Sequence, residues 1–304
     1  MMAWGVRLKV LRSGWQRAHP RCADRGCNLT RRMSRRFGWW HGRIQLRGFS
    51  YCAPQCFENA ARVCFSHACA SAIAPSPFQH RVPLGLLMLS RGQLTHAQLR
   101  AALEAQSANR HRRIGEWLEQ LGFATEQQVT AALGLQWACP VLGWKPPHDF
   151  TCGRMLPYRL LEHFRMLPVQ FVAATRIFYL AFCDGIDYSA LYAIEQMLDC
   201  RTQACLISRR NMDQELERMG HEARSGDLLF ESWRDPAAMA QITCGYALKF
   251  GAEQVRIVSC GEYIWVRLEA KREFATLLFR HPLTAPLQED PSLGEESCAR
   301  LIAG

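Results

Sequence analysis

Four cysteines in two close pairs are the residues here best placed to do chemistry. Cys22 and Cys27 enclose four residues, and Cys52 and Cys56 enclose three. Zn²⁺ takes four thiolates in a tetrahedron, and a closely spaced pair lets one turn supply two of them. The stretch that holds them, residues 22–69, has few aliphatic side chains. A module of about 50 residues with so small a core needs a staple. Cys64, His67 and Cys69 follow and offer substitute ligands. The competing reading of these thiols is burial in a core without metal.

Elements must present those pairs. Ile44, Leu46 and Phe49–Tyr51 predict a short hairpin around Gly42 and Gly48. FENAARVCFSHACASA, from Phe57, predicts a helix with Phe57, Ala61, Cys64 and Phe65 on one side. Two Cys pairs, a hairpin and a helix opening at the last pair resemble a treble-clef-like zinc knuckle. YCAPQCFE resembles the corner of small zinc modules. The resemblance implies a structural Zn²⁺ on Cys22, Cys27, Cys52 and Cys56. Residues 1–21, basic and without periodicity, are expected as a disordered arm. Met33 is an alternative start that would delete the first Cys pair. Residues 70–82 carry Pro75 and Pro77 and read as a linker.

A second pattern is a duplication. PLGLLMLSRGQLTHAQLRAALEAQ runs from Pro83 to Gln106, and RIGEWLEQLGFATEQQVTAALGLQ from Arg113 to Gln136. Gly85 matches Gly115, Gly92 matches Gly122, Thr95 matches Thr125 and Gln106 matches Gln136. In each copy a short apolar helix ends at the second glycine. Thr95 with Gln98, and Thr125 with Gln128, then predict capping boxes for a second helix. Each copy is thus a helix hairpin, and the pair a four-helix unit.

Beyond Trp137 the pattern changes to helix, strand, strand, helix, strand and helix, a small α/β layer to residue 219. Asp187 predicts the cap of the helix that follows it, which removes it from a carboxylate pair with Asp184. Residues 220–235 read as a linker. Pro236 opens a helix that stops at Gly251, and VRIVSCGEYIWVRLE predicts a hairpin about Gly261. Val255, Ile257, Ile264, Val266 and Leu268 alternate with polar groups there. REFATLLFR adds one more short element, so this segment spans 236–280, and the tail 281–304 reads as loose. The fold class is α+β.

The duplicated unit and the segment after it, MLPYRLLEHFRMLPVQ and LAFCDGIDYSALYAIEQML, resemble the N-terminal domain of type II secretion and type IV pilus assembly ATPases. The resemblance is to the MshE N-terminal (GspE N-terminal) type and covers about residues 83–219. CGYALKFGAEQVRIVSCGEYIWVRLE more weakly resembles the start of the next ATPase domain. The resemblance implies binding of cyclic di-GMP and a partner in the secretion or pilus machinery. Its motif falls on Leu84, Gly85, Gly92 and Gln106, then on Arg113, Gly115, Gly122 and Gln136. An Arg can pair bidentately with a phosphate or stack on guanine. Pro83 stands where the first motif has its Arg, which removes a cation and an N–H donor. No GxxxxGK[ST] loop and no Gly-Lys pair occurs, so no ATP hydrolysis is assigned. The expected function is a non-enzymatic regulator or adaptor.

Net charge is +10, and residues 1–80 hold 13 basic residues against Asp24 and Glu58. The remainder is near neutral. A basic Cys-rich third is the basis for the alternative of nucleic-acid binding. A truncated, inactive motor ATPase is the other alternative. No apolar run approaches the ~20 residues of a membrane helix, and the expected location is the cytoplasm.

Overall fold

Backbone pairing joins parts of the chain that lie far apart in sequence. The computed structural model describes residues 22–27, 44–72, 81–109, 111–143, 152–222, 227–231, 235–271 and 273–280. The basic arm 1–21, the tail 281–304 and most of the linker 70–82 lie outside them.

Strands β1 (Ile44–Leu46) and β2 (Phe49–Tyr51) form the expected hairpin, with Arg47 and Gly48 at positive φ in its turn. Helix α1 (Pro54–Ala72) follows. The duplicated unit supplies α2 (Leu84–Ser90), α3 (His96–Ala108), α4 (Ile114–Gln120) and α5 (Glu126–Trp137). A 3₁₀ turn (Gly153–Met155) precedes α6 (Tyr158–Phe164), β3 (Met166–Val172), β4 (Ile177–Phe182), α7 (Tyr188–Leu198), β5 (Arg201–Leu206) and α8 (Arg209–Glu222). The chain then forms β6 (Asp227–Phe230), α9 (Pro236–Phe250), β7 (Gln254–Cys260), β8 (Tyr263–Glu269) and β9 (Phe274–Arg280).

Two sheets result. One has the order β3-β4-β5, with β3 antiparallel and β5 parallel to β4. The other has six strands in the order β2-β1-β7-β8-β9-β6. In it β1 pairs parallel with β7, Gln45 opposite Gln254 and Leu46 opposite Val255. The Cys-rich segment and the last segment therefore share one sheet, although the sequence treats them as separate modules. The stretch 220–235 also differs from expectation. It holds β6, parallel to β9. Four residues, DLLF, are too short a signal to separate from a loop by periodicity.

The six-stranded sheet is covered on both faces. Val255, Ile257, Ile264, Val266, Leu268, Leu277 and Phe279 join Phe57, Ala61 and Phe65 of α1 and Met239, Cys244 and Ala247 of α9 in one core. The opposite face, with Val258, Cys260, Tyr263, Trp265 and Leu278, joins the core of the three-stranded layer. Side chains alternate along a strand, so two buried faces make a strand buried throughout. β8 is buried from Tyr263 to Leu268. Two arginines at the seam find backbone acceptors: Arg256 Nη1 donates to Met197 O at 2.8 Å, and Arg267 Nη1 to Met155 O at 3.0 Å. Buried Glu262 meets His163 at 3.1 Å and Arg280 at 3.2 Å. The 83–222 unit is thereby seated against a sheet built from residues on both sides of it in sequence.

Candidate functional site

The two copies fold alike down to single hydrogen bonds. At the end of α2, Gly92 N donates to Leu89 O and Gln93 N to Met88 O, both at 3.0 Å. At the end of α4, Gly122 N donates to Glu119 O and Phe123 N to Leu118 O. This is the glycine-dependent Schellman cap, with φ near +70° at both glycines. Both capping boxes form: Thr95 with Gln98 before α3, Thr125 with Gln128 before α5. Gly85 and Gly115 let the hairpin close. A Cβ at Gly85 would lie 2.5 Å from Leu99 Cδ1, and at Gly115 2.9 Å from Val129 Cγ1.

The motif glutamines cross between copies. Gln106 Nε2 of the first donates to Arg112 O at 3.2 Å, just before the second copy begins. Gln136 Nε2 of the second donates to Val82 O at 2.7 Å, just before the first begins. Each copy's last helix thus clasps the other's first turn, a two-fold device.

The structure brings some of the motif residues together. Leu84, Arg113, Gly115 and Gln136 line one cavity of about 230 Å³, with Glu116, Glu119, Glu126, Cys183, Asp184 and Arg209. Gly85, Gly92, Gln106 and Gly122 do not line it. Arg209 bridges Glu116 at 2.6 Å and Asp184 at 2.5 Å, and these carboxylates hold its guanidinium charged against the cost of burial. Burial and the nearby Glu126 raise the Glu119 carboxyl. Four carboxyl groups against Arg113 and Arg209 leave the cavity lining richer in acidic than in basic groups.

The rim is basic. Arg113 is exposed at the N-cap of α4, and its Nη1 donates to Asp184 O at 2.7 Å. Among the described residues no carboxylate pairs with it in a salt bridge. Arg81 lies over the Trp137 ring, 3.4 Å from its centroid. A Cβ at Gly185 would lie 2.5 Å from the same ring, so Gly185 is small where Trp137 lies against the α/β layer. The loop Asp184–Asp187 thus meets the helices of the second copy, at Arg113 and at Trp137. Sequence reasoning placed Asp187 correctly, accepting from Ser189 N at 2.9 Å and Ala190 N at 3.0 Å. It missed Asp184, Arg209 and Trp137, whose roles depend on contacts between distant segments.

The second candidate is the Cys-rich corner. The Sγ atoms of Cys22, Cys27, Cys52 and Cys56 all lie within 4.8 Å of one another. Cys64, His67 and Cys69 stand outside this group. Cys52 follows β2, and Cys56 lies in the first turn of α1. The loop of Cys22 and Cys27 is tied to β2 by Ala23 N to Ser50 O at 3.0 Å. Burial and the crowded neighbouring thiols push the Cys52 and Cys56 thiols up. Four sulfurs at these separations fit a tetrahedral thiolate site, since bonds of about 2.3 Å place sulfurs roughly 3.8 Å apart.

No family model and no curated protein matches the chain. Among solved structures it is similar to a structure of MshE with cdg, at 28% identity, with 45% of this chain and 99% of that one covered and a TM-score of 0.40. It is also similar to the N-terminal domain of XpsE, at 20% identity, with 46% of this chain and 98% of that one covered and a TM-score of 0.35. In another crystal form of that domain the identity is 20%, the coverage 46% and 99%, and the TM-score 0.28. Among the described residues no helix is long and apolar enough to cross a membrane.

Proposed function

We propose that residues 83–219 are a non-enzymatic regulatory unit that binds cyclic di-GMP and hands the signal to a partner in secretion or pilus machinery. The observation that carries this reading is Arg113. It stands exposed at the start of the second copy, beside the start of the first, with its charge uncommitted to any carboxylate of the described residues. Its five N–H donors leave ample capacity for a phosphate after the bond to Asp184 O.

A ligand with two phosphates and two purines exceeds a cavity of about 230 Å³, which falls below the roughly 300–1,000 Å³ of enclosing pockets. The excess of carboxyl groups in its lining also disfavours a phosphate inside it. The dinucleotide therefore lies across the rim, with one phosphate on Arg113. Gly85, Gly115, Gly92 and Gly122 build the platform, and the glutamines hold its halves together. Pro83 leaves the first copy without its matching cation, so affinity is weaker than two arginines would give.

Calorimetry with cyclic di-GMP on the full chain tests this. Wild type is expected to give saturable heat that Arg113→Ala abolishes. Absence of heat up to high micromolar ligand would leave the unit as a scaffold without this ligand.

A further inference from the structure

The duplicated unit leaves the cysteine corner without a role. We propose that Cys22, Cys27, Cys52 and Cys56 hold one Zn²⁺, and that this ion fastens the segment before the duplicated unit into the sheet formed by the segment after it. The inference is independent of cyclic di-GMP.

The donor set comes first. Four sulfurs within 4.8 Å of one another satisfy a tetrahedral ion completely, which leaves no open position for water or substrate. Such a site is structural. The sulfurs rise from two supports, the loop of Cys22 and Cys27 and the corner where β2 passes into α1. Hydrogen bonds already shape both: Cys27 N to Asp24 O at 3.2 Å closes the loop, and Phe57 N to Ala53 O at 3.1 Å starts the helix. The ion would bind a site whose backbone is set in advance.

What the ion fastens follows from the packing. Cys27 and Cys56 are buried with Tyr51 and Phe57 in the core that also holds Ala247 and Val255. Only three residues of β1 pair with β2, and two pairs join β1 to β7. Strands this short are weak by themselves. An ion that cross-links the loop, the hairpin and α1 holds β1 straight and presents it to β7.

One competing chemistry is close at hand. Cys27 Sγ and Cys52 Sγ are 3.4 Å apart, beyond the roughly 2.05 Å of a disulfide, yet oxidation could join them. The experiment separates the two.

The full chain is purified under reducing conditions and its metal measured by mass spectrometry. About one zinc per chain is expected. Cys52→Ser should lose it and Cys69→Ser, outside the cluster, should keep it. Should Cys52→Ser fail to fold, cobalt titration of the wild type replaces it, and intense thiolate-to-cobalt absorption with tetrahedral visible bands is expected. Amide exchange before and after chelation then reads the fastening. Ile44–Leu46 should lose protection while β4 keeps it. Less than half an equivalent of zinc after reconstitution, no thiolate–cobalt bands, or a Cys27–Cys52 disulfide in thiol counting overturns the site. Unchanged protection of β1 after metal removal overturns the fastening.

Discussion

Gln136 reaches 54 positions back to donate to the carbonyl of Val82 at 2.7 Å. Its counterpart Gln106 reaches forward to Arg112. A residue that the repeat alone marks as a ligand candidate is thus a tie between copies.

The tie gives a first prediction. Gln136→Ala removes one hydrogen bond and is expected to cost about 0.5–1.5 kcal/mol, read by urea denaturation of the full chain. Gln136→Glu should cost at least as much, because a carboxylate has no N–H to donate and faces a carbonyl oxygen. If Gln136→Glu matches wild type, the clasp is not contributing.

A second concerns the asymmetric start. Pro83 precedes α2 with φ −56° and ψ 139°, and Arg113 precedes α4 with φ −77° and ψ 157°. The two backbones are alike, so Pro83→Arg fits without rebuilding. A charged hydrogen bond is worth about 1.5–3 kcal/mol. Titration should show cyclic di-GMP binding roughly tenfold to a hundredfold tighter in Pro83→Arg. An unchanged or weaker affinity would count against a shared surface at the two starts.

The paired glycines differ in what an added methyl would meet. In Gly85→Ala the nearest atom is the mobile end of Leu99, whereas in Gly115→Ala it is a methyl of Val129, whose χ1 is stiff. Overpacking costs typically 1–3 kcal/mol, and leaving a helical glycine returns about 1 kcal/mol. Gly115→Ala is therefore expected to destabilise more than Gly85→Ala despite its longer contact. Thermal melts of the two variants give the order.

Asp227 carries a pH signature. It accepts from Tyr158 N at 2.9 Å, and burial raises its carboxyl above the ordinary value. The folded state therefore holds its proton to higher pH than the unfolded one. The stabilisation is fully present below the unfolded value and is lost as pH rises through the folded one. Asp227→Asn keeps an oxygen for Tyr158 and removes the charge. Its stability should lose this acid-range dependence and be no lower than wild type at neutral pH. A large loss at neutral pH would show that the ionised form is needed.

Much of the fold was legible because its signals are local. Thr95 with Gln98, Thr125 with Gln128, and the glycines ending α2 and α4 specify caps within five residues of chain. The cysteine set was legible for the same reason, since each pair sits in one turn. Pairing between β1 and β7 was not, because Gln45 and Gln254 carry no mark of one another. The second buried face of the C-terminal sheet was also missed. Alternation at Val255, Ile257, Ile264, Val266 and Leu268 explains one face, while Tyr263, Trp265 and Arg267 look like an ordinary mixed outer face until the α/β layer covers them. At the candidate ligand surface, Arg113 was legible as a cation, and its neighbours Asp184 and Trp137 were not.

The parallel pairing of β1 with β7 sets an order of events on the ribosome. β1 emerges roughly 200 residues before its partner, an interval of about 10–40 s at ordinary synthesis rates. Through that time β1 shows an open edge, and α1 lacks the apolar cover of α9. Open edges of this kind invite pairing with other chains. All four clustered cysteines, however, are complete once Cys56 is made. The nascent segment can close its own corner long before the strand that will finally shelter it exists.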